Sequence, residues 1–277
     1  MQMAEPIVNS WKACLSLEFG FQSGKTIIAG KRHDGPLVVQ KPLYPEGEAV
    51  CHAIVVHPPG GIAGGDELEI GARVGEKAAA LLTTPGAAKW YRSAGPRAKQ
   101  NIAFEVGGVL EWLPQETIVF DGALAELDCE VDLGADAAFI GWDIVCLGRT
   151  GSGERFARGA YRFSTQVRRE KKLLWLERGR IEGGGRLLES PAGLNGKPVF
   201  GTLFACAHDL IQELLAETRK VEPETGRGAV TLLPGILLAR YLGDSSEAAR
   251  RYFIALWRIL RPALTGREAI EPRIWRT

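Results

Sequence analysis

DELEIGARV, residues 66–74, alternates with a period of two: Leu68, Ile70, Ala72 and Val74 fall on one face, and Glu67, Glu69 and Arg73 on the other. Side chains separate in this way only along an extended chain, so the stretch reads as a half-buried strand. The pattern returns in QNIAFEV (100–106), where Ile102, Phe104 and Val106 align. In AYRFSTQV (160–167), Tyr161, Phe163, Thr165 and Val167 oppose Arg162, Ser164 and Gln166. AVCHAIVVH (49–57) and AAFIGWDIVCL (137–147) are apolar on both faces, as strands covered from both sides must be. Gly- and Pro-rich turns separate these runs about every ten residues, which specifies an all-β body and not alternating βαβ units. Strands are expected over about 10–207 and again over 229–235, after the loop at 221–228. Two helices follow the first body, one over 208–220 and one over 244–261. The first carries the stripe Leu210, Ile211, Leu214 and Leu215 behind a capping box of Asp209 and Gln212. The second opens at Asp244 or Ser245, carries Phe253, Leu256, Trp257 and Leu260, and is expected to stop at Pro262. The fold class is therefore mainly β with two carboxyl-terminal α-helices. No internal repeat marks a solenoid.

The chain of 277 residues with 45% hydrophobic content is long enough to bury a full core. Its 34 basic and 33 acidic side chains leave a net charge of +1, so no global field draws it to nucleic acid or to an anionic membrane. The first twenty residues carry Glu5, Pro6 and Asn9 where an export signal would be unbroken and apolar. The five cysteines are odd in number and widely spaced without a CxxC pair, which fits a reducing cytoplasm and buried thiols.

Several motifs carry chemistry on paper. GFQSGKT (20–26) resembles a phosphate-binding loop but has three residues between its glycines where four are needed, and TIIAGKR follows it instead of a helix. A hairpin turn is the better reading of Gly24, Lys25 and Thr26. PPGGIAGGD (58–66) forces a backbone path that side chains would obstruct, and its Asp66 is a turn acceptor first and a ligand second. His57 and Cys51 share a strand face but stand ~20 Å apart, and His52 points the other way, so no chelate forms within that strand. A single imidazole still suits a transient nickel ion, which makes His57, Asp66 and Asp143 the metal candidates. Asp143 interrupts the apolar FIGWDIVCL, where a carboxylate must find a partner or take up a proton. AELDCEVDL (125–133) sets Glu126, Asp128, Glu130 and Asp132 on one face, read as solvated. RREKKLLWLERGR (168–180) is a hairpin with six basic residues, read as a solubilising surface or, second, as a dock for an acidic partner. No catalytic triad can be assembled from four scattered histidines, and no enzyme activity is expected. The rival reading is a β-helical carbohydrate-active or carbohydrate-binding protein using Asp66, Glu67 or Asp143.

GPLVVQKPLYPEG, HPPGGIAGGD, LLTTPGAAKWYRS, LEWLPQETIVFDGA, FIGWDIVCLGRTGSGERF, SPAGLNGKPVFGTL, RYLG, LWRILRPAL and EPRIW follow one another in order from about residue 35 to 275. This series, set in a likeness that runs from about residue 20 to the carboxyl end, resembles the UreD (UreH) family of urease accessory proteins. The resemblance implies one UreD-type unit over 1–277 with a β-helix-like, stacked-sheet body. It also implies assembly with UreF and the GTPase UreG on apo-urease, an internal route for nickel, and no tightly bound cofactor. The positions that match the family's motifs are His57, Gly60, Gly61, Gly64, Gly65 and Asp66; Thr83, Thr84, Lys89, Tyr91 and Arg92; and Glu111, Trp112, Pro114, Gln115 and Glu116. Trp90, Tyr91, Arg92 and Trp112 have the chemistry of interface anchors and equally of core residues. The Trp257 face of the last helix serves either a helical partner or its own sheet.

Overall fold

A computed structural model of the chain describes residues 10–208 and 210–276. Two large sheets face one another. The first contains β1 (Lys12–Gln22), β2 (Lys25–Asp34), β5 (Glu67–Val74), β8 (Ala98–Val106), β11 (Leu124–Leu133), β13 (Ala160–Arg169) and β14 (Lys172–Glu182). Their order is β14-β13-β11-β8-β5-β1-β2. The second sheet contains β3 (Val38–Val39), β4 (Val50–Val56), β6 (Ala79–Thr83), β9 (Val109–Trp112), β12 (Ala138–Leu147), β15 (Val199–Cys206), β16 (Arg227–Leu233) and β17 (Ile236–Gly243). It runs β16-β17-β15-β12-β9-β6-β4-β3, with β10 (Thr117–Val119) beside β12 and β7 (Ala88–Trp90) beside β10.

From β4 to β13 the chain winds back and forth between the sheets, and each turn lays a parallel strand beside the last. Val50, Ala79, Val109 and Ala138 stack in register, about 30 residues apart. This is the β-helix-like body the family resemblance implied. Every rung bonds through backbone, so small aliphatic residues of no common pattern can stack. That explains why no repeat is legible in the sequence.

DELEIGARV forms β5 as read, with Leu68, Ile70, Ala72 and Val74 buried and Glu67, Glu69 and Arg73 exposed. The doubly apolar strand β12 explains the layer order. Phe139, Val145 and Leu147 enter the core between the sheets, while Ile140, Trp142, Ile144 and Cys146 enter a second core under the helices. The helices are α1 (Arg186–Glu189), α2 (Gln212–Arg219) and α3 (Ser246–Thr265), of which α1 and the strand β17 are additions to the sequence reading. Asp209, the expected cap of the first long helix, lies outside the described residues, and α2 begins only at Gln212. In α3 the cap is Ser245, whose hydroxyl accepts from Ala248 N–H at 3.2 Å. Pro262 does not end the helix, which continues to Thr265 and closes on Gly266 in the left-handed region. The lost backbone bond falls in the last turn, and burial of Leu256, Trp257, Leu260 and Arg261 on the sheet outweighs a penalty of roughly 3 kcal/mol.

Both suspected hairpins form. Ser23 (φ 48°) and Gly24 (φ 83°) make the two-residue turn between β1 and β2. Lys25 then bonds Glu48 at 2.7 Å, and the buried Thr26 hydroxyl donates to Ala49 C=O at 2.7 Å, so neither is presented to a phosphate. Glu170 (φ 47°) and Lys171 (φ 66°) make the corresponding turn between β13 and β14.

Candidate functional site: stacked corners around an internal cavity

Each coil of the body leaves the second sheet through a short corner rich in Pro or Gly: His57–Gly61 after β4, Thr84–Ala87 after β6 and Leu113–Glu116 after β9. The corners stack on one another. Thr83 donates its hydroxyl to Leu113 C=O at 2.6 Å, and Gln115 N–H donates to the Thr84 hydroxyl at 2.9 Å. Ile62 N–H bonds Lys89 C=O (2.7 Å), and Ala88 N–H bonds Glu116 C=O (2.9 Å). Three motif clusters far apart in sequence thus become one row. At the level of Pro114 the side of β12 that faces the row has no strand partner between Gly141, which pairs with Trp112, and Val145, which pairs with Thr117, while β15 continues along its other side.

Behind this row lies a cavity of about 280 Å³ between the sheets. His57, Gly60, Gly61 and residues 84–89 line it on the side of the corners, Ile70, Ile102, Phe139 and Phe204 are among its apolar walls, and Asp143 and Thr165 are among its polar lining. Asp143 shares the inward face of β12 with Phe139 and Val145, is half-buried, and lines this cavity. Burial drives its carboxyl up to about 7, the nearby Glu177 adds to the rise, and the Ile144 N–H opposes it. Glu177 is itself held by Arg240 at 2.5 Å. The fully buried Tyr161 hydroxyl lies near both carboxylates and has no hydrogen-bond partner. On the side of the corners, burial lowers the His57 pKa, partly offset by the Asp66 charge, and its Nε2 is buried without a partner.

The other expected residues have distinct places. Asp66 has the turn-acceptor role: one oxygen accepts from Trp11 N–H at 2.7 Å and the other from Ala63 N–H at 2.8 Å. Gly64 and Gly65 are half-buried in the same loop, and Gly60 is exposed with φ 75°. Gly61 lies under the ring of Tyr91, where a Cβ would come within 2.3 Å of it. Tyr91 is exposed and packs edge-on against Phe120, with Lys89 and Arg92 exposed beside it. Trp112 is core, and Trp90 is fully buried.

Glu111 and Trp257 belong to a second, structural site. Trp257 is fully buried, and its indole N–H donates to Glu111 at 2.6 Å, so this helix face meets its own sheet. Arg261 bonds the same carboxylate at 2.9 Å, reaches Glu46 at 2.8 Å, and donates to the carbonyl of Glu268. Glu46 in turn lies 2.6 Å from His52. Arg261 could have been found in sequence: it stands four residues after Trp257 on the same apolar stripe. Glu46 and Glu177 carried no comparable signal.

The three carboxylates named for glycan chemistry do not come together. Asp66 has both oxygens bonded, Glu67 is exposed and pairs with Lys12 at 3.4 Å, and Asp143 faces the cavity, so the three share no site. Among the described residues no three His, Cys, Asp or Glu side chains converge to hold a metal ion. No described helix is long and apolar enough to cross a membrane.

The model of the UreD urease accessory protein family matches residues 12–276. The chain belongs to the UreD family. Among its relatives, the urease accessory protein UreD of Azoarcus sp. (strain BH72) is 56% identical over 269 residues, covering 96% of this chain and 94% of the relative. That of Dechloromonas aromatica (strain RCB) is 54% identical over 274 residues, covering 97% and 95%. UreD of Pseudomonas aeruginosa (strain UCBPP-PA14) is 53% identical over 270 residues, covering 97% and 96%. Membership places the chain among accessory proteins of urease maturation. Part of each of the three motif clusters of the family resemblance lines this cavity: His57, Gly60 and Gly61, then Thr84 and Lys89, then Trp112, Pro114 and Gln115.

Proposed function

We propose that this chain is a non-catalytic docking body of urease maturation that, with UreF and the GTPase UreG, holds apo-urease and gives nickel an internal path. The supporting observation is the cavity itself, which His57, the stacked corners and Asp143 all line. Imidazole nitrogen and carboxylate oxygen are both donors that nickel accepts. They are presented one at a time and never as a cage, which suits a cargo ion that must leave again. Asp66 contributes through its charge beside His57, its oxygens being committed to the loop. Tyr91, Lys89 and Arg92 beside the corners have the aromatic and cationic chemistry of a protein contact. Nucleotide chemistry falls to the GTPase, since Lys25 and Thr26 are spent within their own hairpin and its surroundings. The cytoplasm, where free buried thiols persist, is the compartment we assign, and no tightly bound cofactor is required. The test is co-purification: tagged chain should retain UreF, UreG and apo-urease and should turn over no substrate alone. Binding none of them, or hydrolysing a glycan unaided, would overturn the proposal.

A further inference from the structure

The basic hairpin of β13 and β14 takes no part in the cavity. β14 is the last strand of its sheet, and along its length it pairs only with β13. Four consecutive apolar residues lie along this edge: Leu173 (49% exposed) and Leu176 (39%), with Leu174 and Trp175 half-buried between them. An open strand of this kind is a template for pairing, and proteins ordinarily break such edges with charge or irregularity. Here the one irregularity in the β13–β14 ladder is a bulge at Leu174, opposite the step from Val167 to Arg168. The charge beside it is mostly of one sign. Lys171 and Lys172 make no ion pair among the described residues, Arg178 feels the Asp128 carboxylate without a direct ion pair, and Arg168 reaches Asp132 only at 4.0 Å.

We propose that β14 is a docking strand, to which an extended acidic segment of a partner protein adds by backbone pairing. On the outer face, where Leu173, Leu176, Arg178 and Arg180 follow one another, apolar side chains of that segment cover Leu173 and Leu176 and its carboxylates meet Arg178 and Arg180. A second copy of this chain is the poorer occupant: antiparallel self-pairing centred on Leu176 sets Lys172 opposite Arg180, like charge against like. The inference rests on the functional reading only in placing the partner within the urease maturation assembly; the chemistry of the edge stands by itself.

Amide hydrogen exchange over residues 172–180 of the full chain tests it. An octapeptide whose one face carries two Val followed by two Glu, opposite Leu173, Leu176, Arg178 and Arg180, should slow exchange there by tenfold or more, whereas its counterpart with Lys for Glu should not. The double variant Leu176→Glu, Arg178→Glu should abolish the effect. The same amides should be protected in the complex with UreF and apo-urease. No protection by the acidic peptide, unchanged exchange in an assembled complex, or protection that instead tracks self-association would each overturn the proposal. Protection by the peptide in a chain that binds neither UreF nor apo-urease would support the edge chemistry and count against the functional reading alone.

Discussion

Replacing Asp143 by Asn should stabilise the fold while impairing its function, and the size of the gain can be worked out from the site. The carboxyl titrates at about 7 in the folded chain, raised first by burial and then by Glu177. In the unfolded chain it titrates near 3.9. Between those values the folded state keeps a proton that the unfolded state has already released, so stability falls as pH rises through this window. About three units at ~1.4 kcal/mol each set an upper limit near 4 kcal/mol above neutrality. An amide of the same shape carries no such penalty. Urea unfolding of both proteins should show the Asp143→Asn variant ahead by roughly 1–2 kcal/mol near pH 5 and by roughly 3–4 near pH 8, a gap that widens with pH. The lower halves of those ranges apply if solvent enters the cavity. The stabilised variant should nonetheless load less nickel into urease, since it lacks the anionic oxygen that lines the cavity. A gap that does not depend on pH would refute the titration argument, and wild-type nickel loading by the same variant would remove the carboxylate from the mechanism.

Glu111→Ala would leave the buried Arg261 short of one of its two carboxylates and Trp257 without an acceptor; a loss of about 3–5 kcal/mol is expected in chemical unfolding, and a loss under ~1 kcal/mol would mean the network is slack. Gly61→Ala drives a methyl against the exposed Tyr91 ring, so the melting point should move by only a few degrees while binding to urease or UreF weakens at least tenfold; intact binding would exclude Tyr91 from the interface. The His57 imidazole should titrate below its ordinary ~6.5 by NMR, because burial disfavours the cation. As pH falls below that value the unfolded chain takes up a proton that the folded chain refuses, and His57→Gln should blunt the resulting acid-side loss of stability.

How far the sequence reached depends on which residues interact. Strands β5, β8 and β11 were legible because each buries one face, and the two-residue period records that directly. β12 was legible as doubly covered, although only the structure separates its inward Phe139 and Val145 from its outward Ile140 and Trp142. The coil itself was not legible from periodicity, since the rungs stack through backbone bonds that accept Val50, Ala79, Val109 and Ala138 alike. Strand β17 was missed in ILLARYLG, a run as compatible with a helix as with a strand. Pro262 misled because local propensity yields to burial in a last helical turn. At the site, Asp143 stood out as a charge in an apolar run, but the Glu177 beside it lies a hairpin away. The three Gly- and Pro-rich clusters were each visible, and their convergence at one cavity follows from the winding of the chain.

In the proposed role this chain conveys nickel into urease and performs no chemistry of its own. The most direct test of that role is the nickel content of urease assembled from purified apo-urease, UreF, UreG, GTP and nickel, with and without the chain. Nickel should reach the urease active sites only when the chain is present, and Asp143→Asn should give an intermediate content. Fully loaded, active urease in the mixture lacking the chain would contradict the account.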